Sequence, residues 1–453
     1  MKVSDTRSIA LSMLIRINEE GIFSHLVIRE TFNKLAHYEK RDKALIKRLT
    51  EGTLEQQIKI DYIINQFSKK PVVEMKPLIR NLLRLSVYQI IFMSNIPDRA
   101  ACDEAVKLVA KRGFSSLKGF INAILRNIIR NKDNLNLPDE AGDKLLYLSI
   151  AYSMPQWIVE KWLKEYDYEK VKIICQNLLE TRPMTVRLHG NPSVEDIKMW
   201  QDNLNSIGAE AKQHPYLGYA YELHNVENIA ELPCFKMGFF IVQDVSSMLV
   251  VEAAGIKADD IVVDVCAAPG GKSLHAAEKA KKVIARDLSE SKCEYIRENA
   301  ARLNQTNIEI SVYDATVLDE TLLGKADFFL ADVPCSGFGI IGKKPDIKYK
   351  NTPVSIDELV KLQRRILATV WQYVKPGGIL VYSTCTINHD ENEAMMEWFT
   401  ENYPFAYDLL PDNLSSLNIE QRKSAQLKLL PGFHQTDGFF ICRLRRIDVV
   451  ARL

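Results

Sequence analysis

The chain has 453 residues, of which 47% are hydrophobic and 26% charged, and this composition predicts a globular protein with two or three domains. It has no uncharged apolar run near the roughly 20 residues of a membrane span. Charged residues inside the first apolar pattern, among them Arg7 and Arg16, argue against a signal peptide. The eight cysteines are scattered without a Cys-x-x-Cys pair. We therefore expect a cytoplasmic protein with no metal site, no disulfide framework and no membrane partner.

The net charge of +1 hides an uneven distribution along the chain. Residues 1–135 contain 24 Lys and Arg against 14 Asp and Glu, a net charge of +10. The other 318 residues contain 35 against 44, a net charge of −9. A basic segment of this kind indicates a polyanionic partner. Charge alone is equally compatible with solvated helix faces.

Residues 1–135 are predicted to form an all-α domain. Apolar residues recur at helical spacing, for example from Ile60 to Phe67. Residues 80–130 hold nine Lys or Arg against three acids. Arg126 and Arg130 are four positions apart and hence share one helix face. The basic excess of the domain favours RNA as its partner, with these two arginines as candidate contacts. Docking to another protein is the alternative.

The stretch from Asn131 to Pro138 is rich in Asn, Asp and Pro and is predicted to be a linker. Residues 139–235 follow as a small α+β domain, because helical patterns there precede alternating strands and helices. The expected elements are helices at 145–166 and 169–180, a strand at 184–188, a helix at 194–207 and a strand at 216–223.

Residues 236–453 are predicted to form an α/β domain around a parallel sheet. The run 261–266 is short, apolar and β-branched, which is typical of a buried parallel strand. Gly270 and Gly271 come next, and a helix is expected over 272–282. Without Cβ atoms, the glycines allow a sharp turn and close approach of a ligand. Strand, turn and helix together make the first unit of a nucleotide-binding sheet, in which ligands lie beyond the carboxyl ends of the strands.

The following strands each end in a polar or reactive residue. They are predicted at 283–287, 308–313, 327–333 and 378–385, with a closing hairpin at 427–430 and 439–442. Asp287 ends the first of them a little under 20 residues past the glycines, where an acid can accept hydrogen bonds from both ribose hydroxyls. Acids at successive strand ends suit a nucleoside better than a triphosphate, which requires Lys, Arg and Mg²⁺.

A phosphate-binding loop is the rival interpretation of the glycine turn. Gly271-Lys272-Ser273 fits the second half of G-x-x-x-x-G-K-[ST], but Cys266 stands at the first glycine position. Pro269 inside the loop, and the lack of a Mg²⁺ ligand set beyond Asp332, also count against a nucleotide hydrolase.

Several motifs resemble those of the RNA 5-methylcytosine methyltransferases, most closely the bacterial enzymes for small-subunit ribosomal RNA. In chain order the motifs are Gly119–Arg126, Val242–Met248, Asp264–Ser273, Asp332–Gly337, Lys344–Ile347 and Ser383–Thr386. They extend over nearly the whole chain, and the two separate motifs that contain Cys335 and Cys385 make the resemblance specific. The departures are small: Ser273 stands where the family often has Thr, and Lys343-Lys344 stand where it has Arg-Arg-His.

The resemblance implies a NusB-like RNA-binding domain at 1–135, a small α+β domain, and a class I, Rossmann-like methyltransferase domain that uses S-adenosylmethionine. It implies methylation of carbon-5 of a cytosine in 16S ribosomal RNA, before the small subunit is fully assembled, by an enzyme that we expect to be a monomer. A different ribosomal or transfer RNA site stays open. A non-catalytic RNA-binding protein of the antitermination type is a further alternative, against which the two cysteine motifs argue.

The expected chemistry is covalent catalysis. Carbon-5 of cytosine becomes nucleophilic when a thiolate adds at carbon-6. Cys335 and Cys385 are both candidates, since a Cys after Pro is the nucleophile pattern of DNA cytosine methyltransferases. In the RNA family the Thr-Cys residue attacks, which implies attack by Cys385 and product release assisted by Cys335. Asp332 is expected to bond the target ring, and Lys272 is the other polar candidate near the base.

The resemblance also assigns binding residues. The turn around the cofactor comprises Cys266, Ala267, Ala268, Pro269, Gly270, Gly271 and Lys272. Asp287 is implied to bind the ribose hydroxyls and Asp314 the adenine amine, with Asp332 at the same site. The expected phosphate contacts after Cys335 are Lys343, Lys344 and Lys348. The target base must be flipped or single-stranded.

Overall fold

The computed structural model describes residues 3–35, 37–226, 228–412, 414 and 424–447. The chain divides into two compact units. The first comprises Met1–Glu180 with Ile341–Asn351, and the second comprises Thr181–Ile340 with Thr352–Leu453. Within the described residues, we find no helix that combines the length and apolar character needed to cross a bilayer.

Helices form the N-terminal part of the first unit, as the apolar periodicity predicts. They are α1 (Val3–Asn18), α2 (Ser24–Lys34), α3 (Lys40–Glu55), α4 (Gln57–Phe67), α5 (Pro77–Phe92), α6 (Asp98–Lys111), α7 (Lys118–Asn131), α8 (Lys144–Ala151), α9 (Gln156–Glu165) and α10 (Tyr168–Asn177). The core contains side chains spaced three or four positions apart, such as Ile60, Ile63 and Ile64 of α4. Pro77 begins α5, where its fixed φ suits the first helical turn.

The boundary between the units lies at residue 180, not at residue 139 as expected. α8 packs against α4, and Ser153 Oγ accepts the N–H of Ile58 at 3.0 Å. Leu148 of α8 and Trp162 of α9 are fully buried, and both helices belong to the same compact unit as the N-terminal ones. The predicted domain at 139–235 is therefore divided, and the predicted linker at 131–138 lies inside one compact unit.

The second unit begins with a four-stranded antiparallel sheet in the order β2-β3-β1-β4. Its elements are β1 (Met184–Leu188), α11 (Val194–Ser206), β2 (Glu210–Gln213), β3 (Ala220–His224), α12 (Pro233–Lys236) and β4 (Phe240–Val242). Strands β2 and β4 were not predicted, because four and three residues are too few for alternation to be visible. α11 starts with a capping box between Ser193 and Asp196, and its Trp200 packs edge-on against Tyr221 of β3.

The rest of the described chain contains a mixed sheet, its helices and one short helix, α16 (Ile347–Lys350), that belongs to the first unit. In chain order these are α13 (Val245–Ala254), β5 (Ile261–Asp264), α14 (Gly271–Ala277), β6 (Lys282–Asp287), α15 (Glu290–Arg302), β7 (Ile308–Val312), β8 (Ala326–Asp332), α16 (Ile347–Lys350), α17 (Pro353–Val370), β9 (Val374–Thr384), α18 (Glu393–Asn402), β10 (Phe405–Tyr407), β11 (Gln426–Leu429) and β12 (Phe439–Arg446). The five parallel strands and the closing hairpin were all predicted. α14 is shorter than the predicted helix, because Lys282 already begins β6.

The strand order in this sheet is β10-β12-β9-β8-β5-β6-β7, with β11 paired to β12. Strands β5 to β9 are parallel, and β12 runs antiparallel to β9. Val262 and Val263 are fully buried on opposite faces of β5, so helices cover both sides of the sheet. The chain runs from β5 outward to β7 and then returns to β8 on the other side of β5. This reversal of direction creates a crevice at the carboxyl ends of β5 and β8.

Segment Ile341–Asn351 belongs to the first unit, although the chain on both sides of it belongs to the second. Within it, Lys348 is 1% exposed, and its ammonium donates to the carbonyl oxygen of Glu55 at 2.8 Å. The expectation that Lys348 contacts an RNA phosphate is wrong, because an ammonium enclosed by the protein does not reach solvent-borne phosphate.

Lys348→Met is expected to change the pH dependence of stability. Burial lowers the pKa of the Lys348 ammonium from its ordinary value of 10.5 to about 7. Between these values the unfolded chain binds more protons than the folded one, so the contribution of Lys348 to stability rises with pH, by at most about 1.4 kcal/mol per pH unit. Chemical denaturation at about pH 7 and about pH 9 should show the wild type gaining stability relative to the variant. Lys164→Met, at an exposed position of α9, is the control, and a pH-independent difference at Lys348 would contradict the assignment.

Candidate active site

The turn after β5 lines a cavity of about 190 Å³ at the carboxyl edge of the sheet. Gly270 has a φ of +103°, a left-handed value that favours glycine. The lining residues from the predicted turn are Cys266, Ala267, Ala268, Pro269, Gly271 and Lys272. Gly270 shapes the turn and does not itself line the cavity. The remaining lining residues are Val242, Gln243, Asp244, Ser247, Asp264 and Asp332.

The lining of this cavity is acidic. Three carboxyl groups, those of Asp244, Asp264 and Asp332, stand against the single ammonium of Lys272. Burial raises the pKa of Asp264 to about 7, although a 2.6 Å hydrogen bond from Ser273 Oγ favours its ionised form. A cationic ligand fits this lining better than a polyphosphate does. The charge distribution therefore counts against a nucleotide hydrolase.

Asp287, at the end of β6, braces the turn. Its Oδ2 accepts the N–H of Ala268 at 3.0 Å, and its Oδ1 accepts the N–H of Leu288 at 2.8 Å and pairs with the Lys292 ammonium at 3.0 Å. The residue is 3% exposed and lies outside the cavity lining. Oδ2, with one partner, retains a further lone pair for a ligand.

Asp314 follows β7 and is exposed. Its Oδ1 accepts the N–H of Thr316 at 2.8 Å and the hydroxyl of the same residue at 2.7 Å. The backbone bond and the hydroxyl bond lower the pKa of Asp314. Like Asp287, Asp314 does not line the cavity.

Lys272 and Asp332 form an ion pair. The Lys272 ammonium lies 2.7 Å from Asp332 Oδ2, and Ser383 Oγ donates to Asp332 Oδ1 at 2.9 Å. Burial alone lowers the pKa of Lys272, but the adjacent Asp332 carboxylate more than offsets this and the pKa is raised. Lys272 is thus a stable cation, and Asp332 is held through both of its oxygens at the edge of the cavity.

Cys335 and Cys385 also come together as predicted, because β8 and β9 are neighbouring parallel strands. Asp332 pairs with Ser383 across them, and the two sulfur atoms in the following turns are 3.2 Å apart. The N–H of Gly339 donates to the carbonyl of Cys385 at 3.0 Å and ties the turns together. Contact with the Cys385 thiol and burial raise the pKa of Cys335 well above its ordinary value. Cys335 therefore remains a protonated thiol.

A buried carboxylate beside the two cysteine turns was missed in the sequence analysis. Glu391 is fully buried and accepts hydrogen bonds from Ser336, Gln363 and Asn388. Its signal in the sequence was the polar run Asn388-His389-Asp390-Glu391-Asn392, which begins two positions after the end of the second cysteine motif. Such a run is typical of a solvated loop, so the sequence did not distinguish it from one.

The predicted RNA contacts have different environments. Arg126 and Arg130 are exposed on α7, and both lie in the first unit. Lys343 is exposed and Lys344 is half-buried, and both belong to the segment assigned to the first unit. These four side chains keep their proposed role.

Comparisons with known proteins identify the family. A family model described as 16S rRNA methyltransferase RsmB/F matches residues 253–445, and one described as NusB family matches residues 4–130. The chain is 36% identical to the probable ribosomal RNA small subunit methyltransferase B of Bacillus subtilis, over 98% of this chain and 100% of the relative.

Two solved structures share the fold. The protein PH0851 superposes with a TM-score of 0.80 at 24% identity and covers 98% of this chain and 99% of its own. NSun6 from Pyrococcus horikoshii, solved with SFG, has a TM-score of 0.56 at 22% identity and covers 65% of this chain and 98% of its own. The predicted fold class, with a helical NusB-like part and a Rossmann-like methyltransferase domain, is confirmed. The chain belongs to the RsmB/F family of 16S rRNA methyltransferases.

Proposed function

We propose that this protein transfers a methyl group from S-adenosylmethionine to carbon-5 of a cytosine in small-subunit ribosomal RNA. Membership of the RsmB/F family supports methyl transfer and the RNA substrate. The observation that carries the proposal is the pair of thiols, 3.2 Å apart at the ends of adjacent strands. Methylation of an exocyclic nitrogen or a ribose hydroxyl does not need a thiol, whereas carbon-5 of cytosine needs one as nucleophile.

The methyl donor is S-adenosylmethionine, which carries its methyl group on a positively charged sulfonium. The acidic lining of the β5 cavity suits the sulfonium and the ammonium of this molecule. The structure of NSun6, which has a similar fold, was solved with SFG, an S-adenosylmethionine analogue. Residues 266–272 form the turn around it, Asp287 holds the ribose hydroxyls and Asp314 the adenine amine.

The two cysteines have different roles in the proposed reaction. The Cys385 thiolate adds to carbon-6 of the flipped cytosine, and carbon-5 then becomes nucleophilic enough to accept the methyl group. Asp332, held by Lys272 and Ser383, bonds the ring during this addition. A base then takes the carbon-5 proton, the C–H electron pair restores the double bond between carbon-5 and carbon-6, and the carbon–sulfur bond breaks with its electron pair on the Cys385 sulfur. Cys335, kept as a thiol, donates to the departing sulfur of Cys385.

Basic side chains of the first unit hold the RNA. Arg126, Arg130, Lys343 and Lys344 are the proposed phosphate contacts. The substrate is small-subunit RNA before assembly is complete, since the target base must be reachable, and the enzyme acts as a monomer. A site in another ribosomal RNA or in a transfer RNA is the alternative.

Replacing the two cysteines separates their roles. Cys385→Ala should be inactive, because no thiolate adds to the base. Cys335→Ala should attack and methylate, then stall as a covalent protein–RNA complex that survives denaturing electrophoresis. Bisulfite sequencing of ribosomal and transfer RNA identifies the modified cytosine and decides between the proposed and the alternative substrate.

The control is Cys234→Ser, which replaces a half-buried cysteine of α12 outside the two cysteine motifs. This variant should turn over normally. Exchanged outcomes for the two catalytic variants would assign the attack to Cys335. Turnover in both variants would reject the mechanism.

Asp287→Ala should weaken S-adenosylmethionine binding by about 1.5–3 kcal/mol, the range for hydrogen bonds to a charged group. The variant removes the acceptor for the ribose hydroxyls and also the acceptor that braces the N–H of Ala268. Glu290→Gln removes a nearby exposed carboxylate that pairs with Arg297 and should bind normally. Calorimetry with S-adenosylmethionine, and with ATP as the comparison ligand, measures the effect. Wild-type affinity in Asp287→Ala would remove this residue from the site.

The double variant Arg126→Gln/Arg130→Gln should bind RNA more weakly whatever the RNA sequence, because phosphate contacts do not read the bases. It should also flatten the dependence of log affinity on log salt, by about 0.7 for each phosphate of a single strand that the protein no longer neutralises. Lys164→Gln/Lys170→Gln, on α9 and α10 beside Glu165 and Asp167, is the matched control. An unchanged salt slope in the arginine variant would show that this helix face does not bind RNA.

A further inference from the structure

Glu391 links the turn that carries Cys335 to the turn that carries Cys385. Its side chain is fully buried and carries two oxygens, which accept four hydrogen bonds between them. An ionised carboxylate is acceptor-only, so each of the four donors finds a lone pair. A buried carboxylate without such partners would be costly, and this degree of satisfaction indicates a fixed position.

Three of the four hydrogen bonds lead to the chain around Cys335. Glu391 Oε1 accepts the backbone N–H of Ser336 at 2.8 Å, and Oε2 accepts the Ser336 hydroxyl at 2.5 Å. Oε1 also accepts from Gln363 Nε2 at 3.0 Å, and the same Nε2 donates to the carbonyl of Pro334 at 2.8 Å. The residues immediately before and after Cys335 are thus both held from one point.

The fourth hydrogen bond leads to the chain after Cys385. Glu391 Oε2 accepts from Asn388 Nδ2 at 2.8 Å. The hydroxyl of Thr386, the residue after Cys385, lies 2.7 Å from the Ser336 hydroxyl. Glu391 therefore holds Ser336 of the Cys335 turn, and Ser336 in turn contacts Thr386 of the Cys385 turn.

We propose that Glu391 is a positioning residue that holds the Cys335 thiol beside the Cys385 sulfur for release of the methylated base. This inference rests on the proposed function. A shift of about 1 Å in a reacting group can cost about 100-fold in rate, so the four hydrogen bonds have a direct kinetic consequence. The Glu391 charge also acts on the thiol: after the contact with Cys385 and burial, it is among the causes that raise the pKa of Cys335.

Glu391→Gln keeps the size of the side chain but replaces one acceptor oxygen with an NH₂ group. Whichever oxygen it replaces, the amide nitrogen of Gln363 or that of Asn388 loses its present acceptor, and the side chain loses its charge. We expect turnover to fall by about 100-fold and the covalent protein–RNA complex to accumulate, while S-adenosylmethionine affinity stays at the wild-type value. Glu393→Gln is the matched control two residues away: Glu393 pairs with Lys428 at 2.8 Å, and this variant should turn over normally.

A double-mutant cycle separates a positioning role from a merely structural one. If Glu391 acts through Cys335, Cys335→Ala/Glu391→Gln should accumulate the same fraction of covalent complex as Cys335→Ala alone. A fraction of covalent complex in the double variant that differs from that in Cys335→Ala alone would overturn the inference. So would loss of the covalent complex in Glu391→Gln, since the residue would then be needed for attack by Cys385.

Two further outcomes keep this inference distinct from the proposed function. If Cys335→Ala stalls but Glu391→Gln turns over like the wild type, only the role of Glu391 is rejected. If Cys335→Ala and Cys385→Ala both turn over, the proposed function itself fails. Should Glu391→Gln not fold, Ser336→Ala takes its place, because it removes one donor and leaves the backbone N–H bond to Glu391 in place. It should show the same accumulation to a smaller extent.

Discussion

The register between β8 and β9 is the constraint on which the candidate active site depends. Asp332 lies opposite Ser383, and the two cysteine turns begin from this pair. A slip by one residue would move one strand end by about 3.3 Å and turn its side chains to the other face. That distance is as large as the 3.2 Å between the sulfur atoms. Phe329 and Tyr382, fully buried on one face of these strands, therefore hold the register that the chemistry requires.

The sequence predicted the main features of this edge because parallel strands leave a strong pattern. Short β-branched runs mark buried strands, and the carboxyl ends of such strands meet along one line. It follows that Lys272, Asp332, Cys335 and Cys385 could be placed together before any distance was known. The strands β2 and β4 of the small sheet were not predicted, since three or four residues carry no periodicity.

Other features depend on contacts between residues far apart in the chain. Lys348 stands in a lysine-rich loop and has the pattern of a phosphate contact, yet it is enclosed against the carbonyl of Glu55. Glu391 lies in a polar run, and its donors come from positions 336, 363 and 388. Neither burial follows from local composition, because each is decided by which distant groups satisfy the charge.

The meaning of Gly271-Lys272-Ser273 is decided in the same way. In a phosphate-binding loop the lysine faces the phosphates of a nucleotide. Here the Lys272 ammonium is 2.7 Å from Asp332, and Ser273 Oγ donates to the buried Asp264. Both side chains are engaged by acids at the ends of β5 and β8, so the turn presents carboxyl groups where a nucleotide hydrolase needs positive charge. Of the three residues that match half of a phosphate motif, Gly271 and Lys272 thereby line a cavity suited to a cation.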